Sequence, residues 1–87
     1  MWTLVFDKSA ERELAALDKA VRRRVISKLE FLVENFDDIL PVPLTGEFKG
    51  FYKLRIGDWR VVYVTDRQKK AITIVYIGNR RQIYKKR

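Results

Sequence analysis

Tyr52-Lys53-Leu54-Arg55-Ile56-Gly57-Asp58-Trp59-Arg60-Val61-Val62-Tyr63 is the stretch on which the fold turns. Side chains alternate on both sides of Gly57-Asp58, and a two-residue Gly-Asp link between such runs is hairpin chemistry. The spacing predicts two antiparallel strands, within Phe51 to Ile56 and Trp59 to Thr65. It pairs Ile56 with Trp59, Arg55 with Arg60, Leu54 with Val61, Lys53 with Val62, and Tyr52 with Tyr63. Successive side chains point to opposite faces of a strand. Tyr52, Leu54, Ile56, Trp59, Val61 and Tyr63 therefore share an apolar face, and Lys53, Arg55 and Arg60 share the other.

Moving outward, Ala71 to Ile77 reads as a third strand, joined through a loop around Asp66 to Lys70. Upstream, Asp37 to Glu47 holds Pro41, Pro43 and Gly46, which is loop chemistry. Before it the apolar period is helical. Val21, Val25, Leu29, Leu32 and Phe36 form one stripe, widened by Ile26 and Val33, with Arg22, Arg23, Arg24 and Lys28 mostly on the other side. Asp18 is placed to cap this helix, and Ala10, Leu14 and Leu17 mark a shorter one over residues 9–17, capped by Asp7 or Ser9. Trp2 to Phe6 reads as a first strand. The order β-α-α-β-β-β predicts an α+β fold, a single domain over residues 1–87, with two N-terminal helices packed on one face of an antiparallel sheet.

Composition narrows the chemistry. The 19 Lys and Arg against 11 Asp and Glu give a net charge of +8, which suits a polyanionic partner. There is no cysteine, hence no thiol nucleophile or disulfide framework, and no histidine, the commonest general base and metal ligand. Carboxylates are not clustered: Asp37 and Asp38 sit in a loop and Glu34 on the preceding helix. A two-metal hydrolase needs several converging carboxylates, so no metal and no cofactor is expected. The N-terminal residues lack a basic segment followed by a long apolar stretch, and no apolar run approaches the roughly 20 residues that span a bilayer. The expected location is the cytoplasm, with no membrane partner.

Lys53, Arg55 and Arg60 then carry the question of function. Arg55 and Arg60 are directly opposed in the hairpin, where like charges disfavour a sheet. One reading is a solvated basic face, with aliphatic stems lying over the sheet. The other is an anion site, for which the planar guanidinium fork is suited to two phosphate oxygens. Beyond the third strand, Gly78-Asn79-Arg80-Arg81-Gln82-Ile83-Tyr84 turns more cations and one tyrosine towards the sheet edge. A tyrosine among cations can stack on a base or exchange protons, or be an ordinary surface aromatic.

Leu44-Thr45-Gly46, followed by Gly50-Phe51 and the hairpin through Tyr63, resembles the hallmark of the RelE/ParE toxin superfamily. Gly78-Asn79-Arg80-Arg81-Gln82-Ile83-Tyr84 is similar to the C-terminal motif of its RelE branch, so the resemblance covers essentially the whole chain. It implies the toxin of a type II toxin–antitoxin pair. RelE-type members enter the ribosomal A site and cut messenger RNA, with the RNA 2′-hydroxyl as nucleophile. The resemblance makes Lys53 an active-site lysine and Arg60 the holder of the scissile phosphate. Arg80 is implied to stabilise charge and protonate the leaving 5′-oxygen, and Tyr84 to stack on a base. Lys49, Arg81 and Lys85 are assigned to RNA contacts. Implied partners are an acidic, RelB-like antitoxin, the ribosome with its mRNA, and operator DNA for the toxin–antitoxin complex. Leu14, Leu17 and the second-helix stripe are expected to offer the antitoxin an apolar groove.

Arg55 departs from the pattern, because the RelE branch carries a second lysine there, proposed as general base. Arginine is effectively never deprotonated. Arg55 can hold phosphate, while Lys53 is the better candidate for the base and Tyr84 the reserve. Two other functions use the same residues: a ParE-like inhibitor of DNA gyrase, and an RNA-binding module without catalysis.

Overall fold

The computed structural model describes residues 1–79. Its elements are β1 (Thr3–Phe6), α1 (Lys8–Ala16), α2 (Lys19–Glu34), β2 (Val42–Pro43), β3 (Tyr52–Ile56), β4 (Trp59–Asp66) and β5 (Ala71–Asn79), with short 3-10 turns at Phe36–Asp38 and Gly46–Phe48. Both helices start where an aspartate meets orphan amides. Asp7 accepts from the Ala10 amide at 2.9 Å, and Asp18 from the Val21 amide at 3.0 Å. Of the two caps expected for α1, Asp7 is the one used, and Ser9 donates its hydroxyl to the Asp7 carboxylate.

Five strands form one sheet in the order β1-β5-β4-β3-β2. The hairpin register is the one that alternation predicts, from Ile56↔Trp59 through Arg55↔Arg60 to Tyr52↔Tyr63. Gly57 makes the turn possible by adopting φ +60°. Two expectations are corrected. The sheet is mixed rather than antiparallel, because β1 lies parallel to β5. Hairpin rules fix only strands joined by a short link, and β1 meets β5 after the whole chain between them has been threaded through the helices and the meander. The stretch after α2 also contributes a strand. β2 is only two residues long, pairs with Lys53 and Tyr52, and contains Pro43. Proline is tolerated there because β2 is an edge.

The core lies between the helices and one sheet face. Ala10, Val25, Leu29, Leu32 and Phe36 meet Ile56, Val61, Tyr63, Ile72, Ile74 and Ile77, with Trp2 closing one end. Trp2 packs edge-on against Phe36, donates its indole N–H to Asp37, and lies under the Arg67 guanidinium. The α2 stripe is consumed by this core: Val25 and Leu29 are fully buried, whereas Ile26 lies outside it, 36% exposed. Leu14 and Leu17 also pack against the core. The sheet therefore covers Val25, Leu29, Leu32 and Phe36 of the expected groove, while Leu14, Leu17, Val21 and Val33 stay only partly buried. The exposed large apolar side chains among the described residues are Met1, Val5, Ile26, Phe31, Leu40, Val42 and Phe48.

Tyr63 is fully buried, stacked on Tyr52 at 5.7 Å. Burial, and then Tyr52, push its phenol from 10.0 up to about 12. Below the unfolded value both states are neutral, so the folded state keeps its full stability there. As pH rises from 10 towards 12 the unfolded chain ionises first, and up to about 3 kcal/mol is lost. Urea denaturation at increasing alkaline pH should show this loss, and Tyr63→Phe should flatten it. Equal losses in both proteins would place its origin elsewhere.

Candidate functional site

The helices cover one face of the sheet, and the register sets which side chains occupy the other. Lys53, Arg55, Arg60, Val62, Tyr76 and Gly78 lie on this second face. Lys53 pairs with Val62 and Val62 with Tyr76, while Arg55 pairs with Arg60 and Arg60 with Gly78. The structure thus brings three of the sequence-predicted cations together in two adjacent rows. Lys49 lies apart, exposed in the loop three residues before β3. Arg80, Arg81, Tyr84 and Lys85 fall outside the described residues.

The three cations differ in environment. Arg55 is exposed and Lys53 half-buried, but Arg60 is only 6% exposed. Its guanidinium curls back over the turn and donates to the carbonyls of Gly57 (3.3 Å) and Trp59 (3.2 Å). These acceptors are dipoles, and among the described residues no carboxylate pairs with it. A buried cation held by carbonyls, beside two more cations, makes a positively charged seat whose chemistry suits an oxyanion.

The rim next to this seat is shaped by an irregularity in β5. Val62 pairs with Tyr76 but Tyr63 pairs with Ile74, so Val75 is an extra residue, a β-bulge. α1 takes up polar groups around it. The Ile77 amide donates to Glu13 Oε1 at 2.9 Å, and the Ser9 hydroxyl shares its one proton between Asp7 and, at 3.4 Å, the Val75 carbonyl. The bulge turns the Tyr76 ring over Gly78, where any side chain would collide with it: a Cβ there would stand 2.4 Å from the Tyr76 hydroxyl oxygen. Burial first, and then the Glu13 carboxylate, push the Tyr76 phenol above its ordinary value, which keeps it a neutral donor. Sequence reasoning missed Tyr76 because the bulge that sets its face has no composition signal.

Among the described residues, no group of three or more carboxylate, histidine or cysteine side chains could hold a metal ion, and no helix is long and apolar enough to cross a membrane. What the face offers chemically is positive charge, an amine and a phenol.

The family model described as ParE toxin of type II toxin–antitoxin system, parDE, matches residues 4–84. The chain belongs to this toxin family. The fold agrees with solved structures of the wider RelE/ParE superfamily. The isolated RelE toxin of Escherichia coli shares 26% identity, over 98% of this chain and 93% of that one, with a TM-score of 0.77. A chain of the archaeal RelE–RelB complex from Pyrococcus horikoshii shares 27%, covering 91% and 94%, with a TM-score of 0.67. For the RelBE2 toxin–antitoxin complex of Mycobacterium tuberculosis the identity is 24%, the coverage 91% and 98%, and the TM-score 0.80. No curated protein matches the sequence.

Proposed function

We propose that this toxin is a ribosome-dependent endoribonuclease that cuts messenger RNA in the A site without a metal ion. The observation that carries the reading is Arg60, buried and paired with no carboxylate among the described residues, on the uncovered face beside Lys53 and Arg55. The step needs no protein nucleophile. A base removes the proton of the 2′-hydroxyl, that oxygen bonds to phosphorus, and the bond from phosphorus to the 5′-oxygen breaks. A proton delivered to the leaving oxygen completes the balance, giving a 2′,3′-cyclic phosphate and a 5′-hydroxyl. Lys53 is assigned as the base, and Arg60 with Arg55 as phosphate holders. Arg80 is assigned to stabilise the charge on the leaving oxygen, whose proton comes from water, Tyr84 as the base-stacking group, and Lys49, Arg81 and Lys85 as RNA contacts. Geometry comes from the ribosome holding the message in line, so free RNA should be a poor substrate. Arg55→Lys should keep or raise cleavage, since it preserves charge and adds a titratable amine; primer extension on translated message measures it.

The antitoxin is an acidic, RelB-like chain, as the complexes formed by RelE relatives suggest, and the pair together binds operator DNA. The cytoplasm is where ribosome and message are met. A second reading has a specific observation behind it, namely the ParE description of the matching family model: inhibition of DNA gyrase. In vitro translation with primer extension decides. Codon-phased cuts support the nuclease, gyrase-dependent DNA breaks support the gyrase inhibitor, and neither would leave RNA binding without catalysis.

A further inference from the structure

A second concentration of positive charge lies on the helix side of the β3–β4 turn, outside the face described above. There α2 and the hairpin enclose a cleft of about 420 Å³. Arg23, Arg24, Ser27 and Lys28 line it from the helix, and Arg55 with Gly57 from the hairpin. Asp58, the next residue of the turn, is not among the lining residues, and none of them is acidic.

The arrangement follows from the fold. Arg23 and Ser27, and likewise Arg24 and Lys28, are four residues apart, so they form two neighbouring ridges on one side of α2. Each pair is offset by about 6 Å along the helix axis, close to the spacing of successive phosphates on a nucleic-acid strand. β2 covers only Tyr52 and Lys53 of the β3 edge. Arg55 and Ile56 lie beyond that pairing, and both line the cleft. Gly57 completes the wall: a Cβ there would stand 2.7 Å from an Arg24 guanidinium nitrogen, so the missing side chain lets Arg24 lie against the turn. Four like charges facing one cavity repel one another unless an anion sits between them.

We infer that this cleft binds the phosphodiester backbone of single-stranded RNA, with Arg55 standing between it and the reacting phosphate. The inference rests on the reading that RNA is the target, and it extends that reading by a second contact, around the hairpin from Arg60. Planar guanidinium forks, an ammonium and a hydroxyl suit successive phosphate oxygens. An acidic peptide is the competing occupant. Ile56 is the single apolar lining residue, so a peptide would find no row of apolar anchors there.

The test measures binding, so it is independent of cleavage. The probe is a 2′-O-methyl oligouridylate of about 12 nucleotides, which cannot cut itself, titrated by fluorescence anisotropy between roughly 50 and 200 mM salt. Each phosphate contact on a single strand adds about 0.7 to the slope of log affinity against log salt. The double variant Arg23→Ala with Lys28→Ala should lower that slope by about 1.4 and weaken binding roughly tenfold. Lys28→Glu should weaken it further than Lys28→Ala. Both positions are exposed on α2, so circular dichroism should show an unchanged fold. An unchanged slope and affinity would make these cations solvated surface and overturn the inference. So would poly-L-glutamate of similar charge, if it binds as tightly and loses as much in the double variant, for then an acidic protein is the occupant. If the oligonucleotide behaves as expected but translated message is never cut, the cleft stands and the nuclease reading falls.

Discussion

A ribosome-bound message whose 2′-hydroxyl is replaced by hydrogen at the single nucleotide preceding the cut is expected to remain intact. The sequence contains neither histidine nor cysteine, which removes the usual activated nucleophiles of the Ser-His and Cys-His kind. The uncovered face supplies cations, an amine and a phenol, and the Tyr76 phenol, which would have to ionise to attack phosphorus, is held protonated. The attacking oxygen must then come from the substrate, and its removal deletes the reaction rather than slowing it. Single-turnover cleavage with and without the one hydroxyl measures this, with excess chelator added under conditions that keep the ribosome intact. Cutting of the modified message at the same bond would sink the mechanism, and with it the roles given to Lys53 and Arg60.

How far such a mechanism could be read from sequence varied along the chain. The β3–β4 register was fully legible, since Gly57-Asp58 fixes the link and strict alternation fixes the faces. The helix caps were legible to within one choice, Asp7 over Ser9. Three features were not. β2 is two residues long and half proline, below the length at which alternation can register. The parallel pairing of β1 with β5 joins residues almost seventy positions apart, and no local pattern encodes it. The bulge at Val75 shifts every later side chain of β5 by one place, and what holds it is a hydrogen bond from the Ile77 amide to Glu13 on a helix. The cations were legible as residues but not as environments. Alternation puts Arg55 and Arg60 on one face, yet Arg60 curls back over the turn onto the Gly57 and Trp59 carbonyls and Arg55 also lines the cleft beside α2. Those placements depend on the turn and on α2, and a strand pattern does not say that.

Arg60→Ala is expected to lower cleavage by roughly 100-fold or more, the effect of removing one preorganised donor from a developing oxyanion. The substitution is not a surface change. Arg60 is 6% exposed and spends its hydrogen bonds on the Gly57 and Trp59 carbonyls, so its loss should also destabilise the fold by about 1–3 kcal/mol. The two effects can be separated by magnitude. A domain with about 5–15 kcal/mol of stability keeps nearly all its molecules folded after such a loss, so unfolding alone cannot produce a 100-fold fall. Arg60→Lys provides the second axis. It keeps the charge but not the fork that reaches two carbonyls while still presenting nitrogen to a phosphate, so activity should recover only in part. Single-turnover rates on ribosome-bound message, set beside urea denaturation of the same preparations, give both numbers. Should Arg60→Ala cut at the wild-type rate while being destabilised as expected, the guanidinium is a brace for the turn, and the phosphate must be held by Lys53 and residues beyond Asn79.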